Sequence, residues 1–194
     1  VIFIQETKAK EETNKRIGED RIIGGKAETR KKGGKEQITR AGTAVILPYE
    51  WDVVSKESDD PNMTVVNTRR DVGRKKEEKC KLISYYAPQG GAHGGKEKWD
   101  RLEGQMKEAK GEGQSLILGM DGNAKIGSAH VKPNQEQFPK EEREVYELPE
   151  GIGKGLIHER SCANGRKLIR LVEKYDLFVL NTHMDKRTRG GKRR

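Results

Sequence analysis

The chain is poor in the residues that build disulfide frameworks, large cores and membrane spans. Its two cysteines, Cys80 and Cys162, are too few and too far apart for a disulfide scaffold or a zinc site, so we expect a reducing, intracellular compartment. Only 5% of the 194 residues are aromatic and 31% are hydrophobic, which predicts a modest core with long solvated segments. No apolar run approaches the roughly 20 residues that cross a bilayer. A disulfide-rich secreted domain and a helical membrane protein are therefore excluded.

The chain is rich in charged residues, with an excess of positive charge. Charged residues make up 37% of the sequence, and the formal net charge is +9. Such a balance favours polyanionic partners, with nucleic acid as the first candidate and an anionic membrane surface as the second. The alternative is that the charge serves only solubility. The length suits one domain.

Apolar periodicity predicts several strands before the first helix. Alternating runs predict strands at 1–5, 42–55 (interrupted at Pro48), 62–69, 79–86 and 115–119. The short spacing of the early runs predicts antiparallel neighbours. The segment 8–40 is charged and rich in glycine, so we expect a polar connection with one short helix or hairpin.

A period of 3.6 residues predicts two helices. In the first, at 96–110, Trp99 and Leu102 share one face with Met106 and Ala109. The second begins at Asn164 as its N-cap and is followed by a last strand, "DLFVLNT". Between them, 124–163 reads as a long polar loop. This order of elements predicts an α/β sandwich with helices on the outside.

Polar side chains follow three of the predicted strands. Glu6 follows the first, Tyr86 ends the strand before "APQ", and Asp121 and Asn123 follow the strand in "SLILGMDGNAKIG". If the strands are neighbours, these side chains converge at one edge, where Glu6 can supply a carboxylate to Mg²⁺. Asp121 can orient or deprotonate a water molecule, and Asn123 and Tyr86 can donate hydrogen bonds to a phosphate. These are the groups that phosphodiester hydrolysis requires.

Each of these residues also has an ordinary interpretation. "DGN" is a good turn sequence, a glutamate at the end of a strand is most often a solvated charge, and Tyr86 can be an aromatic residue at a strand edge. The four histidines show no spacing typical of metal ligands. The individual residues therefore leave both interpretations open.

Taken in order, the segments "FIQETK … ISYYAPQ … LILGMDGNAKIG … NGRKLIRLVEKYDLFVLNT" resemble the endonuclease/exonuclease/phosphatase family. The resemblance is to the endonuclease domain of non-LTR (LINE-type) retrotransposons and the craniofacial development protein 2-like proteins. It implies a DNase I-like, four-layer α/β/β/α sandwich with Mg²⁺, or Mn²⁺ in its place, held by Glu6. It also implies that Tyr86 contacts phosphate, that Asp121 and Asn123 activate water and stabilise the transition state, and that the partner is the DNA phosphate backbone.

The sequence also departs from this family pattern. The pattern has a further strand with an asparagine before our Val1 and an aspartate-histidine pair after our Arg194, so we expect a domain truncated at both ends. That interpretation assigns 1–183 to a partial domain and 184–194 to a basic tail, with His183 out of register for a general base. Met120 stands in place of a glycine, Gly122 in place of a bulky residue, and Gln89 in place of an asparagine. We expect Asp121 and Asn123 to be held loosely as a result.

The sequence therefore predicts a Mg²⁺-dependent, DNA-nicking endonuclease domain of retrotransposon origin, as a degenerate fragment with weak or no activity. We expect it inside the cell, in the nucleus rather than the cytoplasm, and not at a membrane. The main alternative is a non-catalytic nucleic-acid-binding module that retains the fold. Others are a phosphoesterase acting on lipid or nucleotide phosphates, and a chain that does not accumulate as folded protein.

Overall fold

The computed structural model describes residues 1–32, 35–73, 77–89, 95–127, 130–131, 145–146, 148–153 and 161–183. The predicted basic tail at 184–194 and much of the predicted loop at 124–163 lie outside these residues. Two compact units, Val1–Gly122 and Asn123–Arg194, make up the chain and are described separately below. Among the described residues, neither helix combines the length and hydrophobicity that a bilayer crossing requires.

The first unit contains ten strands and one helix within its described residues. The strands are β1 (Ile2–Gln5), β2 (Thr13–Ile17), β3 (Asp20–Gly24), β4 (Glu28–Lys32), β5 (Lys35–Arg40), β6 (Thr43–Pro48), β7 (Asp52–Asp60), β8 (Met63–Asp71), β9 (Glu77–Tyr86) and β10 (Ser115–Asp121). The helix α1 (Gly95–Gly111) connects β9 to β10. The predicted strands and the first predicted helix are confirmed, and the polar segment 8–40 contains two hairpins, β2–β3 and β4–β5.

Most of these strands belong to two four-stranded sheets. One has the order β1-β6-β3-β2 and is antiparallel throughout. The other has the order β10-β9-β8-β7, in which β10 runs parallel to β9 and the remaining pairs are antiparallel. The long connection through α1 is what allows the parallel pair, because parallel strands cannot be joined by a tight turn. The fold is thus mixed α/β, as predicted.

The two sheets of the first unit share one apolar core. Its buried members come from the facing sides of both sheets: Ile23, Val45 and Leu47 from one, and Val66, Cys80 and Leu82 from the other. Phe3 on β1 packs against the same cluster. Each of these strands therefore buries alternate side chains in the space between the sheets.

The opposite face of β9 is covered by α1. Tyr85 meets Trp99 edge to face, with ring centroids 5.6 Å apart. Lys81, whose side chain is fully buried, places Nζ 2.9 Å from Oε2 of Glu108 and 3.0 Å from Oε1 of Gln105. Trp99, Leu102, Met106 and Ala109 are the buried residues of the helix, as its periodicity predicts. The first unit is thus layered as helix, sheet and sheet.

The second unit contains the helix α2 (Ala163–Tyr175) and two short strands, β11 (His130–Val131) and β12 (Val145–Tyr146), that pair with each other. The prediction that Asn164 caps α2 is wrong. The N-cap is Cys162, in an extended conformation, and its carbonyl accepts a hydrogen bond from Arg166 N–H at 3.0 Å. The N-cap lies two residues earlier than predicted, and the Asn164 side chain donates to the Asn123 carbonyl.

The predicted last strand, "DLFVLNT", is also wrong. After a left-handed Asp176, this segment makes one bridge, Val179 to Ile152, and then a short 3-10 turn at Leu180–Thr182. Phe178 is 61% and Leu180 71% exposed, so two of the apolar residues that suggested a core strand lie mostly in water. An apolar run alone does not show whether a neighbouring strand is present to pair with it.

Candidate functional site

Two of the predicted site residues end adjacent strands of the same sheet. The register between β9 and β10 pairs Asp121 with Tyr86, the last residues of both strands. The N–H of Ala87 donates to the Asp121 carbonyl at 2.8 Å, which extends the pairing just beyond the strand ends. Because β9 and β10 are parallel, their carboxyl ends lie at one edge of the sheet, as the sequence predicts.

Asp121 and Tyr86 also lie on the same face of the sheet. Leu82 on β9 belongs to the core between the sheets, and side chains alternate along a strand, so Ser84 and Tyr86 share its face. On β10 the corresponding positions are Gly119, opposite Ser84, and Asp121, opposite Tyr86. Asp121 is exposed and Tyr86 is 8% exposed. The carboxylate and the phenol therefore belong to the face that meets β1.

The residue before Glu6 joins β1 to both of these strands. Gln5 Nε2 donates to Ser84 Oγ and to the Gly119 carbonyl, each at 3.2 Å. Ser84 Oγ in turn donates to the Ile4 carbonyl at 3.0 Å. These bonds fix the end of β1 at the Ser84–Gly119 pair, two register pairs before Tyr86 and Asp121. The first unit therefore brings the backbone that carries Glu6 to the edge where those two residues lie.

A buried pair of threonines continues this polar layer between the sheets. The Thr64 hydroxyl donates to the Thr43 carbonyl at 2.9 Å, and the two hydroxyl oxygens are 2.9 Å apart. Thr43 pairs with Gln5, and Thr64 pairs with Ser84. Buried hydrogen-bonded groups fix one register between neighbouring strands, because a shift of one strand along the other would leave buried polar atoms without partners. This layer sets the register of the sheets beneath the candidate site.

Glu6 itself occupies a strained position in the next layer. Its φ of 57° is left-handed, a conformation that is uncommon for residues other than glycine, and its side chain is exposed. The N–H of Thr7 donates to the Gly42 carbonyl at 3.0 Å, and the N–H of Gly42 donates to the Pro61 carbonyl at 2.8 Å. Backbone hydrogen bonds of the next residue, Thr7, thus hold the bend at Glu6 in place. This bend ends β1 at the candidate site.

Asn62 anchors the backbone of Tyr86. Its Nδ2 donates to the Tyr86 carbonyl at 2.9 Å, and its own carbonyl accepts the Tyr86 N–H at 2.8 Å. Its Oδ1 accepts a hydrogen bond from the ammonium of Lys98 on α1. Asn62 is 2% exposed, so this cluster is held inside the protein. It places a positive charge near the carboxyl end of β9.

Asn123 is the first residue of the second unit, and its carbonyl is bound to α2 of that unit. It has a φ of 43°, and its carbonyl accepts a hydrogen bond from Asn164 Nδ2 at 3.4 Å. The following residues are bound to the start of α2, where Cys162 N–H donates to the Lys125 carbonyl at 3.0 Å. A Cβ on Gly165 would overlap that carbonyl. The "NG" of α2 therefore braces the "NAK" segment, and the role of Asn123 toward Asp121 stays a prediction.

The described residues contain no cluster of three or more His, Cys, Asp or Glu side chains able to hold a metal ion. The carboxylates that the sequence predicts at this edge are Glu6 and Asp121. Mg²⁺ commonly takes one or two protein carboxylates and completes its octahedron with water and phosphate oxygens, so these two carboxylates are of the kind that Mg²⁺ binds.

His183 is stacked on Phe178, with centroids 3.9 Å apart, and its Nε2 is 3.2 Å from the Gly151 carbonyl.

Sequence reasoning missed the residues that support the site. Gln5, Thr43, Asn62, Thr64, Ser84 and Lys98 make the bonds that position the strand ends. A signal was present, because Thr64 and Ser84 interrupt otherwise apolar strands at positions that face the core. A polar residue at a core-facing position indicates a buried partner.

Comparison of the chain with protein family models, curated proteins and solved structures gives no match. The protein is therefore classified by its fold alone. It is a mixed α/β protein with two four-stranded sheets and two helices in its described residues.

The two cysteines are expected to differ strongly in reactivity. Burial raises the pKa of Cys162, but backbone N–H groups, first that of Lys125 at 3.1 Å from Sγ, outweigh it and bring this pKa below its usual value. Burial, with the charge of Glu78, raises the pKa of Cys80 to about 11. At pH 8 we expect iodoacetamide to label Cys162 alone in the native protein and both cysteines in urea, because only the thiolate reacts. Mass spectrometry of tryptic peptides measures this, and equal native labelling would contradict it.

Proposed function

We propose that this chain is the endonuclease domain of a retrotransposon-derived, Mg²⁺-dependent enzyme that nicks DNA, in a degenerate form with weak activity. The observation that carries the proposal is the register of β9 and β10, which pairs Asp121 with Tyr86 on the face bonded to Gln5, next to Glu6. A carboxylate, a phenol and a second carboxylate at one strand edge are the groups that attack on a backbone phosphate requires.

Each residue has a distinct part in the proposed reaction. Asp121 orients the attacking water and accepts its proton, and Tyr86 and Asn123 donate hydrogen bonds to the phosphate oxygens as charge develops on them. Glu6 would hold Mg²⁺, or Mn²⁺ in its place. When bound, the ion supplies Lewis-acid polarisation of the phosphate. Basic side chains contact neighbouring phosphates without reading the sequence.

The proposal extends to architecture and location. We propose a DNase I-like α/β/β/α sandwich, which the helix and two sheets of the first unit support. A net charge of +9 and a DNA substrate favour the nucleus.

A nicking assay on supercoiled plasmid tests the function. We expect slow nicking by the full chain that requires Mg²⁺, disappears in Asp121→Ala and persists in Glu173→Ala, an exposed acidic control on α2.

Gly122 lies between Asp121 and Asn123 in the sequence, so we expect Gly122→Leu to hold these two residues more firmly. The nicking rate should rise about 10-fold, since misplacement of a catalytic group by about 1 Å costs roughly 100-fold in rate.

Two outcomes would overturn the proposal. One is nicking that Asp121→Ala leaves unchanged, which would indicate a contaminating nuclease. The other is no Mg²⁺-dependent nicking in either the natural chain or Gly122→Leu, with circular dichroism showing that both are folded. DNA binding without nicking would then favour the non-catalytic nucleic-acid-binding module.

A further inference from the structure

An arginine pair lies at the opposite end of the first unit from the candidate site. In the β2–β3 hairpin, Arg16 and Arg21 are directly opposed partners. Both guanidinium groups stack on the ring of Tyr49, with Cζ atoms 4.2 and 4.8 Å from its centroid. The N–H of Tyr49 donates to the Glu19 carbonyl at 2.8 Å, which fixes the ring beside the hairpin. Two cations thus converge on one aromatic side chain.

The charge of this pair is not neutralised within the described part of the chain. No carboxylate among the described residues lies within 4 Å of a nitrogen of Arg16 or Arg21, although Glu19, Asp20 and Glu50 are close in sequence. Like charges directly opposed across two strands destabilise a hairpin. Their juxtaposition is therefore unfavourable unless an anion joins them.

A second stacked arginine shows the contrast. Arg70 lies over Trp51, 5.0 Å from its centroid, and its Nε donates to Glu78 Oε2 at 2.7 Å. Its neighbour Arg69 is paired with Asp52 at 2.9 Å. Both arginines have carboxylate partners on adjacent strands, so the stacking of Arg70 belongs to a network in which its charge is paired. The Arg16–Arg21 pair has the same stacking without the carboxylates.

We propose that Arg16, Arg21 and Tyr49 form a binding site for a backbone phosphate of a nucleic-acid strand. Guanidinium groups match phosphate oxygens through paired N–H donors, and two such groups held at one ring offer a phosphate a doubly charged contact. Arg16 is already oriented, because its Nε donates to the Gly18 carbonyl at 2.8 Å. Tyr49 is 40% exposed, so the aromatic platform is accessible. Arginine beside an exposed aromatic ring is typical of surfaces that bind nucleic-acid strands.

This site is separate from the edge that carries Asp121. Along β6, Thr43 pairs with Gln5 near the candidate site, and Pro48 pairs with Asp20 near the arginine pair. The five residue steps between them span about 16 Å. The proposal rests on the proposed function only for the choice of nucleic acid as the partner. Binding here needs neither Mg²⁺ nor Asp121.

The test is binding of the full chain to a fluorescein-labelled DNA duplex, measured by anisotropy over a range of salt concentrations without Mg²⁺. The variant Arg16→Gln/Arg21→Gln removes the proposed site, and Arg69→Gln/Arg70→Gln removes the same charge from the paired arginines. We expect the first variant to weaken binding about 10-fold and to lower the slope of log K against log salt by about 1. The second variant should bind nearly as the natural chain does.

Equal losses in the two double variants would overturn the proposal, because they would show an effect of net charge alone. Unchanged DNA binding in Arg16→Gln/Arg21→Gln, with loss of binding to phosphatidylserine vesicles, would assign the pair to a membrane surface instead. Thermal unfolding of each variant verifies its fold. If nicking fails but the arginine variant loses DNA binding, the proposed function is wrong and the arginine site stands. If the chain nicks DNA but the arginine variant binds DNA normally, the proposed function stands and the arginine site is wrong.

Discussion

Replacing Gly119 with valine is expected to lower the free energy of unfolding of the first unit by about 3 kcal/mol. A Cβ at this position would overlap the ring of Phe3, so the added side chain forces β1 away from β10. The hydrogen bond from Gln5 to the Gly119 carbonyl would be lost in the same movement. Valine is a good strand former, so its intrinsic β-propensity alone would predict a higher free energy of unfolding. The contact with β1 decides the outcome.

Urea unfolding followed by tryptophan fluorescence measures this effect. Both tryptophans, Trp51 and Trp99, lie in the first unit, so the signal reports on that unit. Gly104→Ala on α1 is the matched control, because a Cβ there meets nothing within 4 Å and should stabilise the helix by about 0.5 to 1 kcal/mol. Combining Gly119→Val with Phe3→Ala should cost less than the sum of the two single changes. An additive cost would show that the overlap with Phe3 is not the cause.

Removing Glu108 is expected to destabilise the first unit more than removing its partner Lys81. Glu108→Ala leaves the ammonium of Lys81 buried with only Gln105 as a neutral acceptor, and an uncompensated buried charge is costly. We expect a loss of about 2 kcal/mol, below the value for fully buried pairs, because Glu108 is 46% exposed and water screens it.

Lys81→Met tests the cause of that loss. Methionine fills a similar volume and removes the charge, so we expect this variant to unfold within about 1 kcal/mol of the natural chain. In the Lys81→Met background, Glu108→Ala should then have almost no effect. The three variants are compared by urea unfolding, as for Gly119. If Glu108→Ala costs the same with and without Lys81, the ion pair does not explain its effect.

The local pattern of the sequence predicts most of the secondary structure of the first unit. Alternation predicted the strand that ends at Tyr86, and the 3.6-residue period predicted the face of α1 that carries Trp99 and Met106. Both signals come from residues that are neighbours in sequence. The same reasoning failed at "DLFVLNT", which makes a single bridge and a 3-10 turn among the described residues.

The candidate site was predictable in part. The sequence places Glu6, Tyr86 and Asp121 after strands, and a parallel pair brings the carboxyl ends of its strands to one edge. It does not reveal that Tyr86 and Asp121 are register partners, or that Gln5 bonds to a carbonyl 114 residues away. Such pairings depend on which strands become neighbours, and no short-range pattern contains that information.

The sequence by itself therefore determined the mixed α/β class, the longer strands of the first unit and the residues at the ends of β9 and β10, because these follow from composition and local periodicity. The tertiary structure alone decided which of those residues meet. It buried Lys81 under α1, set Gly119 against Phe3, and brought Arg16 and Arg21 onto Tyr49. The physical reason is that each of these contacts joins separate strands or elements, and its energy depends on burial and partners that exist only once the sheets have paired.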